Sequence, residues 1–212
     1  PHFAATNLNA LINAGYDIVG IVCPPDSKKG RGKQLKPCAV KEVGIVNNIP
    51  VLQPVKLRDD DFIHQLKSLN ADLFAVVAFR MLPQSVWSLP SKGTINLHTS
   101  LLPNYRGAAP INWVLIKGEK ETGITTFFID QQIDSGAIIK QTKIKLTDKT
   151  TAAELHNTLM NKGSELLINT LDSIKNNTVS HKDQEHTLAM SEAPKLTKEL
   201  LKIDWNKSAN EI

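Results

Sequence analysis

The residues best suited to chemistry lie within residues 94–110, where an apolar segment carries an asparagine and a histidine. Asn96 and His98 are two positions apart at the end of a strand-like run, so their side chains point to the same face. The carboxyl end of a strand in an α/β sheet is where ligands bind. An amide beside an imidazole could hold a carbonyl and stabilise the oxyanion it becomes. A buried structural histidine is the commoner outcome of an isolated Asn-x-His, so both interpretations stay open.

A second polar loop, residues 129–136, separates two strand-like runs and carries Asp134 directly before Ser-Gly. Asp134 could therefore serve only to form a turn. It could instead orient His98 and favour the protonated imidazole, as a nearby carboxylate does. Pattern alone favours the turn, because nothing in it brings Asp134 to His98. The sequence has no nucleophile elbow, phosphate-binding loop or metal-ligand cluster, so we expect no metal.

Alternating helices and strands must position these two loops. Apolar periodicity predicts helices over residues 3–14, 39–47, 62–69, 111–117 and 152–174, and strands over residues 17–23, 50–52, 73–78, 94–97, 124–128 and 137–144. This order favours an α/β fold, with a Rossmann-like, open, largely parallel twisted sheet and helices on both faces.

Composition excludes several classes of protein. The 212 residues are 41% hydrophobic and 22% charged, which fits one large domain, or one domain with an appendage. The longest apolar run, residues 73–79, is far shorter than the roughly 20 residues that a membrane-spanning helix needs. Cys23 and Cys38 are too few for a disulfide scaffold or a four-cysteine zinc site. We therefore expect a reduced, cytoplasmic setting.

Positive charge is concentrated in one segment. Residues 24–42 contain six basic and two acidic residues, and six minus two gives +4, the formal net charge of the whole chain. One basic loop in an otherwise nearly neutral chain suggests an anionic partner that docks at one place. The same composition also fits a solvated, lysine-rich turn without a partner.

Three segments together resemble the folate-dependent formyltransferases: residues 95–111, 121–125 and 133–136. Shorter matches cover nearly the whole chain and include Pro25-Asp26, residues 30–33, Gln53-Pro54 and residues 203–205. The resemblance implies the formyltransferase fold and 10-formyltetrahydrofolate as formyl donor and co-substrate. It also implies that Asn96, His98 and Asp134 form the catalytic set.

The resemblance further implies where the two substrates bind. The folate site would contain Ser100, Leu101, Leu102 and Pro103, with a pterin end lined by Phe79, Arg80, Met81, Leu82, Asp130, Gln131, Gln132 and Ile133. Within the family, the chain is most similar to monomeric members that formylate the α-amine of methionine on initiator tRNA. Their basic loop reaches the tRNA acceptor arm, which implies tRNA contacts by Lys28, Lys29, Arg31, Lys33 and Lys36.

The two ends and one internal segment depart from the family pattern. The first family strand is missing, His2 replaces a more usual acidic residue, and residues 78–83 are one residue shorter. Residues 208–211 match a capping box with only Ile212 beyond it. We therefore expect residues 1–190 to form the catalytic domain and residues 191–212 to be a linker toward an absent β-barrel that binds tRNA.

Other functions fit part of this pattern. A related enzyme could use glycinamide ribonucleotide or an amino sugar nucleotide as acceptor, and the hydrolase domain of formyltetrahydrofolate dehydrogenase is a further relative. An RNA-binding module without activity is an alternative from another class. Residues 30–33 and 203–205 favour a tRNA acceptor, because the short purine-synthesis enzyme needs neither.

Overall fold

Helices and strands alternate along most of the chain, as the apolar pattern predicts. The computed structural model describes residues 2–29, 34–185, 190–200 and 202–209. Its helices are α1 (His2–Asn13), α2 (Ala39–Val46), α3 (Asp60–Ser68), α4 (Gln84–Trp87), α5 (Pro110–Ile116) and α6 (Ala152–Lys175). Its strands are β1 (Ile21–Val22), β2 (Ser27–Lys29), β3 (Gln34–Lys36), β4 (Val51–Leu52), β5 (Phe74–Val77), β6 (Thr94–His98), β7 (Glu121–Phe128) and β8 (Ile138–Lys145).

The main sheet has four strands in the order β5-β6-β7-β8, and β1 and β4 form a separate parallel pair. β5 and β6 are parallel, whereas β6–β7 and β7–β8 are antiparallel. The predicted α/β class is confirmed, and the four-stranded sheet is mixed. β8 returns antiparallel to β7 because the loop between them is too short for the crossover that parallel strands require.

Helices cover both faces of the sheet, and β5 shows how. Val77 packs into the hydrophobic clusters that contain residues of α1 and α6. Phe74 packs instead with the cluster that contains residues of α3 and α4. Side chains three positions apart in a strand point to opposite faces, so the two groups of helices lie on opposite sides.

The alternation in β6 sets the direction of the candidate catalytic residues. Ile95 and Leu97 are buried in the clusters on the α1–α6 face. Thr94 lies on the other face, where its hydroxyl donates to the last main-chain carbonyl of α4 at 2.6 Å. Asn96 and His98 share the face of Thr94, as their spacing predicts.

α6 is the longest helix and begins at a capping box. Thr151 Oγ1 accepts from the main-chain N–H of Glu154 at 3.3 Å, and the Glu154 carboxylate accepts from the N–H of Thr151 at 2.9 Å. Its apolar face is buried against the sheet, with Leu159 fully enclosed. The hydroxyls of Thr126 on β7 and Thr170 on α6 are 2.8 Å apart, which satisfies both groups inside the core.

Three short elements differ from the prediction. The strand predicted over residues 17–23 is only Ile21–Val22, because β4 offers it only two partners. The single turn α4 was not predicted, since four residues are too few to show a helical period. The basic segment, expected to be a loop, contains the antiparallel ribbon β2–β3. A ribbon whose β3 strand is exposed at every position has no buried face, so no apolar alternation reveals it.

The base of this ribbon is fixed by side chains from three segments. Lys41 Nζ lies 2.7 Å from both Asp26 Oδ2 and Gln53 Oε1, and Gln53 Nε2 donates to Asp26 Oδ1 at 2.9 Å. Cys23 and Cys38 are free thiols in the same region. Burial and the hydrogen bond with Cys38 raise the pKa of Cys23 to about 12, so Cys23 stays protonated and unreactive.

Candidate active site

A cavity of about 690 Å³ opens at the carboxyl ends of β5 and β6. Asn96, His98 and Asp134 all line it, although Asp134 lies 36 positions beyond His98 in the chain. The volume is within the range of small-molecule sites, about 300–1,000 Å³. The fold therefore joins the two polar loops in one cavity.

His98 is hydrogen-bonded at one ring nitrogen and is only 7% exposed. Nε2 lies 2.9 Å from the main-chain oxygen of Tyr105. Because a carbonyl oxygen can only accept, Nε2 carries a hydrogen in this contact. Nδ1 lies 3.7 Å from Asp134 Oδ2. The two ring nitrogens therefore have different surroundings: Nε2 contacts a carbonyl and Nδ1 faces a carboxylate.

Asp134 both forms a turn and faces His98, so the two interpretations of its sequence context are compatible. Its φ is +51°, a left-handed conformation that aspartate tolerates in turns. Its Oδ2 accepts from the main-chain N–H of Gly107 at 3.0 Å. This bond fixes the carboxylate oxygen that lies nearest to His98.

The tightness of the loop that carries Asp134 depends on Gly136. A Cβ at this position would lie 1.7 Å from the main-chain oxygen of Phe128, at the end of β7. Only glycine permits this approach of two backbone segments. The close contact turns the loop back over the sheet and brings Asp134 toward His98.

The loop that carries Tyr105 and Gly107 is tied to a later segment of the chain. The N–H of Tyr105 donates to the oxygen of Ser191 at 2.6 Å, and the N–H of Ala193 donates to the oxygen of Arg106 at 2.8 Å. A Cβ on Gly107, whose φ is +121°, would lie 2.6 Å from the Ala193 oxygen. We call residues 191–193 the strap. The domain boundary at residue 190 stays a prediction, and the strap hydrogen-bonds across it.

Two thirds of the residues predicted to bind folate line the cavity: Phe79, Arg80, Met81, Leu82, Asp130, Gln131, Gln132 and Ile133. The side chains of Met81 and Ile133 are 70% and 57% exposed, so they lie at its open mouth. Asp130 Oδ1 accepts from Ser135 Oγ at 2.7 Å and from the N–H of Gln132 at 3.0 Å, which shapes this side of the loop.

The remaining residues predicted to bind folate are Ser100, Leu101, Leu102 and Pro103. None of them is among the described residues that line the cavity. Ser100 is fully buried, and the N–H of Leu102 donates to Thr125 Oγ1 at 3.1 Å. Gln141 Nε2 donates to the oxygen of Leu102 at 2.8 Å. These contacts favour a supporting role beneath the site, and folate binding by this segment stays a prediction.

Three of the five residues predicted to contact tRNA lie on the strands of the ribbon. Lys28 lies on β2 and Lys36 on β3, and both are exposed. Lys28 pairs with Leu35, whereas Lys36 pairs with Ser27, so the two lysines point to opposite faces of the ribbon. Lys29 is the last residue of β2, and Arg31 and Lys33 lie outside the described residues.

Within the described ranges, no three or more His, Cys, Asp or Glu side chains are grouped so that they could hold a metal ion. None of the helices in those ranges is both long and apolar enough to cross a membrane.

A family model described as formyl transferase matches residues 1–171 of this chain. The chain belongs to the formyl transferase family.

Relatives and solved structures agree with this assignment. Methionyl-tRNA formyltransferase of Flavobacterium johnsoniae is 51% identical over 212 residues, covering 100% of this chain and 67% of that protein. The enzyme of the same name from Azobacteroides pseudotrichonymphae is 47% identical over 217 residues, with the same coverage. The chain thus spans about two thirds of the length of these relatives. WlaRD, a sugar 3N-formyl transferase solved with dTDP and 5-N-formyl-THF, has a TM-score of 0.72 and 20% identity, covering 99% of this chain and 72% of its own.

Gln184 supports the candidate site, and no sequence signal points to it. Its Nε2 donates to the main-chain oxygens of Asp134 at 3.0 Å and Gly136 at 2.7 Å. Its Oε1 accepts from the Arg106 guanidinium at 2.6 Å. A single buried glutamine therefore connects the Asp134 loop to the Arg106 loop. The sequence around Gln184 does not reveal these hydrogen bonds, because the Asp134 and Arg106 loops are both distant from it along the chain.

Other side chains line the cavity although their sequence pattern indicates only core: Phe3, Ile111, Phe127, Ile129 and His156. Their spacing is that of ordinary helices and strands, which hides a second role as cavity wall.

Proposed function

We propose that the chain is the catalytic part of a methionyl-tRNA formyltransferase. It would transfer the formyl group of 10-formyltetrahydrofolate to the α-amine of methionine on initiator tRNA. The observation that carries the proposal is the meeting of Asn96, His98 and Asp134 in one cavity, with Nδ1 of His98 3.7 Å from Asp134. The names of the relatives support the acceptor. Charged tRNA is made and used in the cytoplasm, where we place the protein, and a monomer stays our prediction.

The proposed reaction is direct formyl transfer. The neutral amine attacks the formyl carbon, a C–N bond forms, and the carbonyl oxygen becomes an oxyanion. The Asn96 amide and protonated His98 stabilise this oxyanion in a partly closed cavity, where such contacts are strong. The proton lost by the attacking amine passes to Asp134 through water. The bond from carbon to the folate nitrogen then breaks, and the leaving nitrogen takes this proton back from Asp134 through water.

One hydrogen bond of His98 indicates which ring nitrogen would face the reaction. The Tyr105 carbonyl occupies Nε2–H, so Nδ1 is the nitrogen available to the formyl oxygen. Asp134 Oδ2 lies 3.7 Å from Nδ1. Asp134 would thus hold the imidazole in the orientation that presents Nδ1 to the oxyanion.

A transfer assay with three acceptors tests the proposed function. We expect label from 10-formyltetrahydrofolate to move to methionyl initiator tRNA, and not to glycinamide ribonucleotide or an amino sugar nucleotide. Transfer to one of the small acceptors would retain the chemistry of Asn96, His98 and Asp134 and contradict the tRNA acceptor. Binding of the tRNA with no transfer to any acceptor would favour the RNA-binding module instead.

We also propose that the basic ribbon contacts tRNA phosphates. Replacing Lys28 and Lys36 with Ala should weaken tRNA binding and make its salt dependence shallower, because each lost contact reduces the log–log slope by about 0.7–0.9. Affinity measured between 50 and 200 mM salt checks this, since roughly that range separates strong from weak electrostatic binding. Lys162→Ala is the matched control, because this exposed lysine is paired with Glu165 on α6.

Replacing all the basic residues of this segment tests whether the ribbon proposal is wrong. If Lys28, Lys29, Arg31, Lys33 and Lys36 were all replaced with Ala and tRNA affinity stayed unchanged, the segment would be a solvated turn.

A further inference from the structure

The carbonyl that contacts His98 comes from a point where the chain changes direction. The main-chain oxygen of Asn104 accepts from Ser100 Oγ at 2.7 Å, and the oxygen of Tyr105 lies 2.9 Å from Nε2 of His98. The next oxygen, that of Arg106, accepts from a main-chain N–H of the strap. Three successive carbonyls therefore have three different partners, so the contact with His98 depends on the backbone conformation of Tyr105.

This conformation is one that bulky residues rarely adopt. The φ of Tyr105 is +61°, in the left-handed region. A residue with a large side chain keeps such a φ only where its surroundings hold it in place. The position of the His98 imidazole therefore depends on whatever fixes Tyr105.

The phenol of Tyr105 provides an anchor outside the cavity. Its hydroxyl donates to Glu119 Oε1, and the N–H of Glu119 donates to the oxygen of Val114 on α5 at 3.1 Å. The ring of Tyr105 is buried in the same hydrophobic cluster as Val114. Burial and the hydrogen bond to Glu119 raise the pKa of Tyr105 to about 12, so its hydroxyl remains a donor at neutral pH. Neither Tyr105 nor Glu119 is among the described residues that line the cavity.

We propose that Tyr105 and Glu119 are positioning residues for His98. The Glu119 carboxylate holds the phenol, the phenol keeps Tyr105 in its left-handed conformation, and the Tyr105 carbonyl then fixes Nε2–H of the imidazole. The inference rests on the proposed function, in which the other ring nitrogen of His98 faces the oxyanion.

A second tyrosine–carboxylate pair in the chain provides a matched control. The hydroxyl of Tyr16 donates to Asp172 Oδ1 on α6. Asp172 is exposed, as Glu119 is, and Tyr16 packs in a different hydrophobic cluster from Tyr105. Among the described residues, no hydrogen bond joins this pair to His98. Tyr16→Phe therefore removes the same kind of bond, and we expect it to lower stability and leave kcat unchanged.

Kinetics with saturating donor and tRNA measure the effect of the Tyr105–Glu119 bond. Tyr105→Phe and Glu119→Ala should each lower kcat about 10-fold, less than the roughly 10²-fold loss caused by a displacement of about 1 Å. Because both variants remove the same bond, the double variant should lose no more than either single variant. The KM values for donor and tRNA should stay unchanged. Glu119→Gln should retain most of the activity, because its amide oxygen can accept the same hydrogen bond.

The ring of His98 supplies a readout that does not depend on activity. At about pH 8.5, well above the ordinary imidazole pKa of about 6.5, nitrogen NMR spectra of histidine rings show which nitrogen carries the hydrogen. We expect one tautomer, with the hydrogen on Nε2, in the wild type and in Tyr16→Phe. Tyr105→Phe and Glu119→Ala should show a mixture of both tautomers. The His98→Asn variant identifies the signals that belong to His98.

Two results would overturn the inference. One is a Tyr105→Phe or Glu119→Ala protein that loses stability in urea unfolding but keeps the kcat of the wild type, as Tyr16→Phe should. The other is a single, unchanged tautomer of His98 in both variants. If the wild type transferred formyl to no acceptor, the proposed function would fail, whereas the spectra would still decide whether Tyr105 and Glu119 position His98.

Discussion

Replacing Asp134 with Asn should lower kcat for formyl transfer by about 10²–10⁴-fold, the usual contribution of a positioned acid–base group. Asparagine has nearly the same shape, and its amide oxygen can still accept from the N–H of Gly107. It has no carboxylate, however, so it cannot take the proton of the attacking amine. Single-turnover assays with saturating donor measure this loss, and the Kd for the donor should change little.

Asp130→Asn is the matched control for this prediction. Asp130 lies in the same loop and lines the same cavity, but its carboxylate accepts from Ser135 and Gln132. We expect its kcat to remain within about one order of magnitude of the wild type, since it supplies no proton-transfer step. Near-normal turnover of Asp134→Asn would show that the proton leaves by another route.

Gly136→Ala should reduce both stability and activity. The added Cβ would lie 1.7 Å from the oxygen of Phe128, so the loop that carries Asp134 must move. Overpacking of this kind costs about 1–3 kcal/mol of unfolding free energy. Movement of the loop also separates Asp134 from His98, which should lower kcat. Urea unfolding and the transfer assay measure the two effects on the same preparation.

Gly118→Ala separates this effect from ordinary backbone strain. Gly118 has a φ of +66°, and a Cβ there would meet nothing within 4 Å. Its replacement should cost about 1–2 kcal/mol through the left-handed conformation alone and leave kcat unchanged. A Gly136→Ala protein as stable and active as the wild type would mean that the close contact does not position Asp134.

Local patterns predicted the fold well where one face of an element is buried. The alternation of Ile95 and Leu97 with Asn96 and His98 was sufficient to place the two polar side chains on one face, because strand periodicity is a property of the chain itself. The ribbon β2–β3 could not be predicted in the same way. Its strands bury no face, and their pairing depends on backbone hydrogen bonds that no side-chain pattern encodes.

The candidate site was harder to predict, because contacts between distant segments complete it. Asp134 approaches His98 through the backbone contact at Gly136 and the hydrogen bonds of Gln184, which are tertiary features. Residue type also failed to distinguish the residues that support the cavity from those that line it. Leu102 and Leu82 are equally apolar, yet Leu102 is buried beneath the site and Leu82 borders the cavity.

The strap has a mechanical consequence. Trp113 Nε1 donates to the oxygen of Pro194 at 2.7 Å, which anchors the chain just after the strap. Ala193 is bonded to Arg106, and the neighbouring Gly107 holds the Asp134 carboxylate. The segment after the strap is therefore connected to the Asp134 carboxylate through a short series of hydrogen bonds. We expect a displacement of this segment to change the distance between Asp134 and His98, although the segment contacts neither side chain directly.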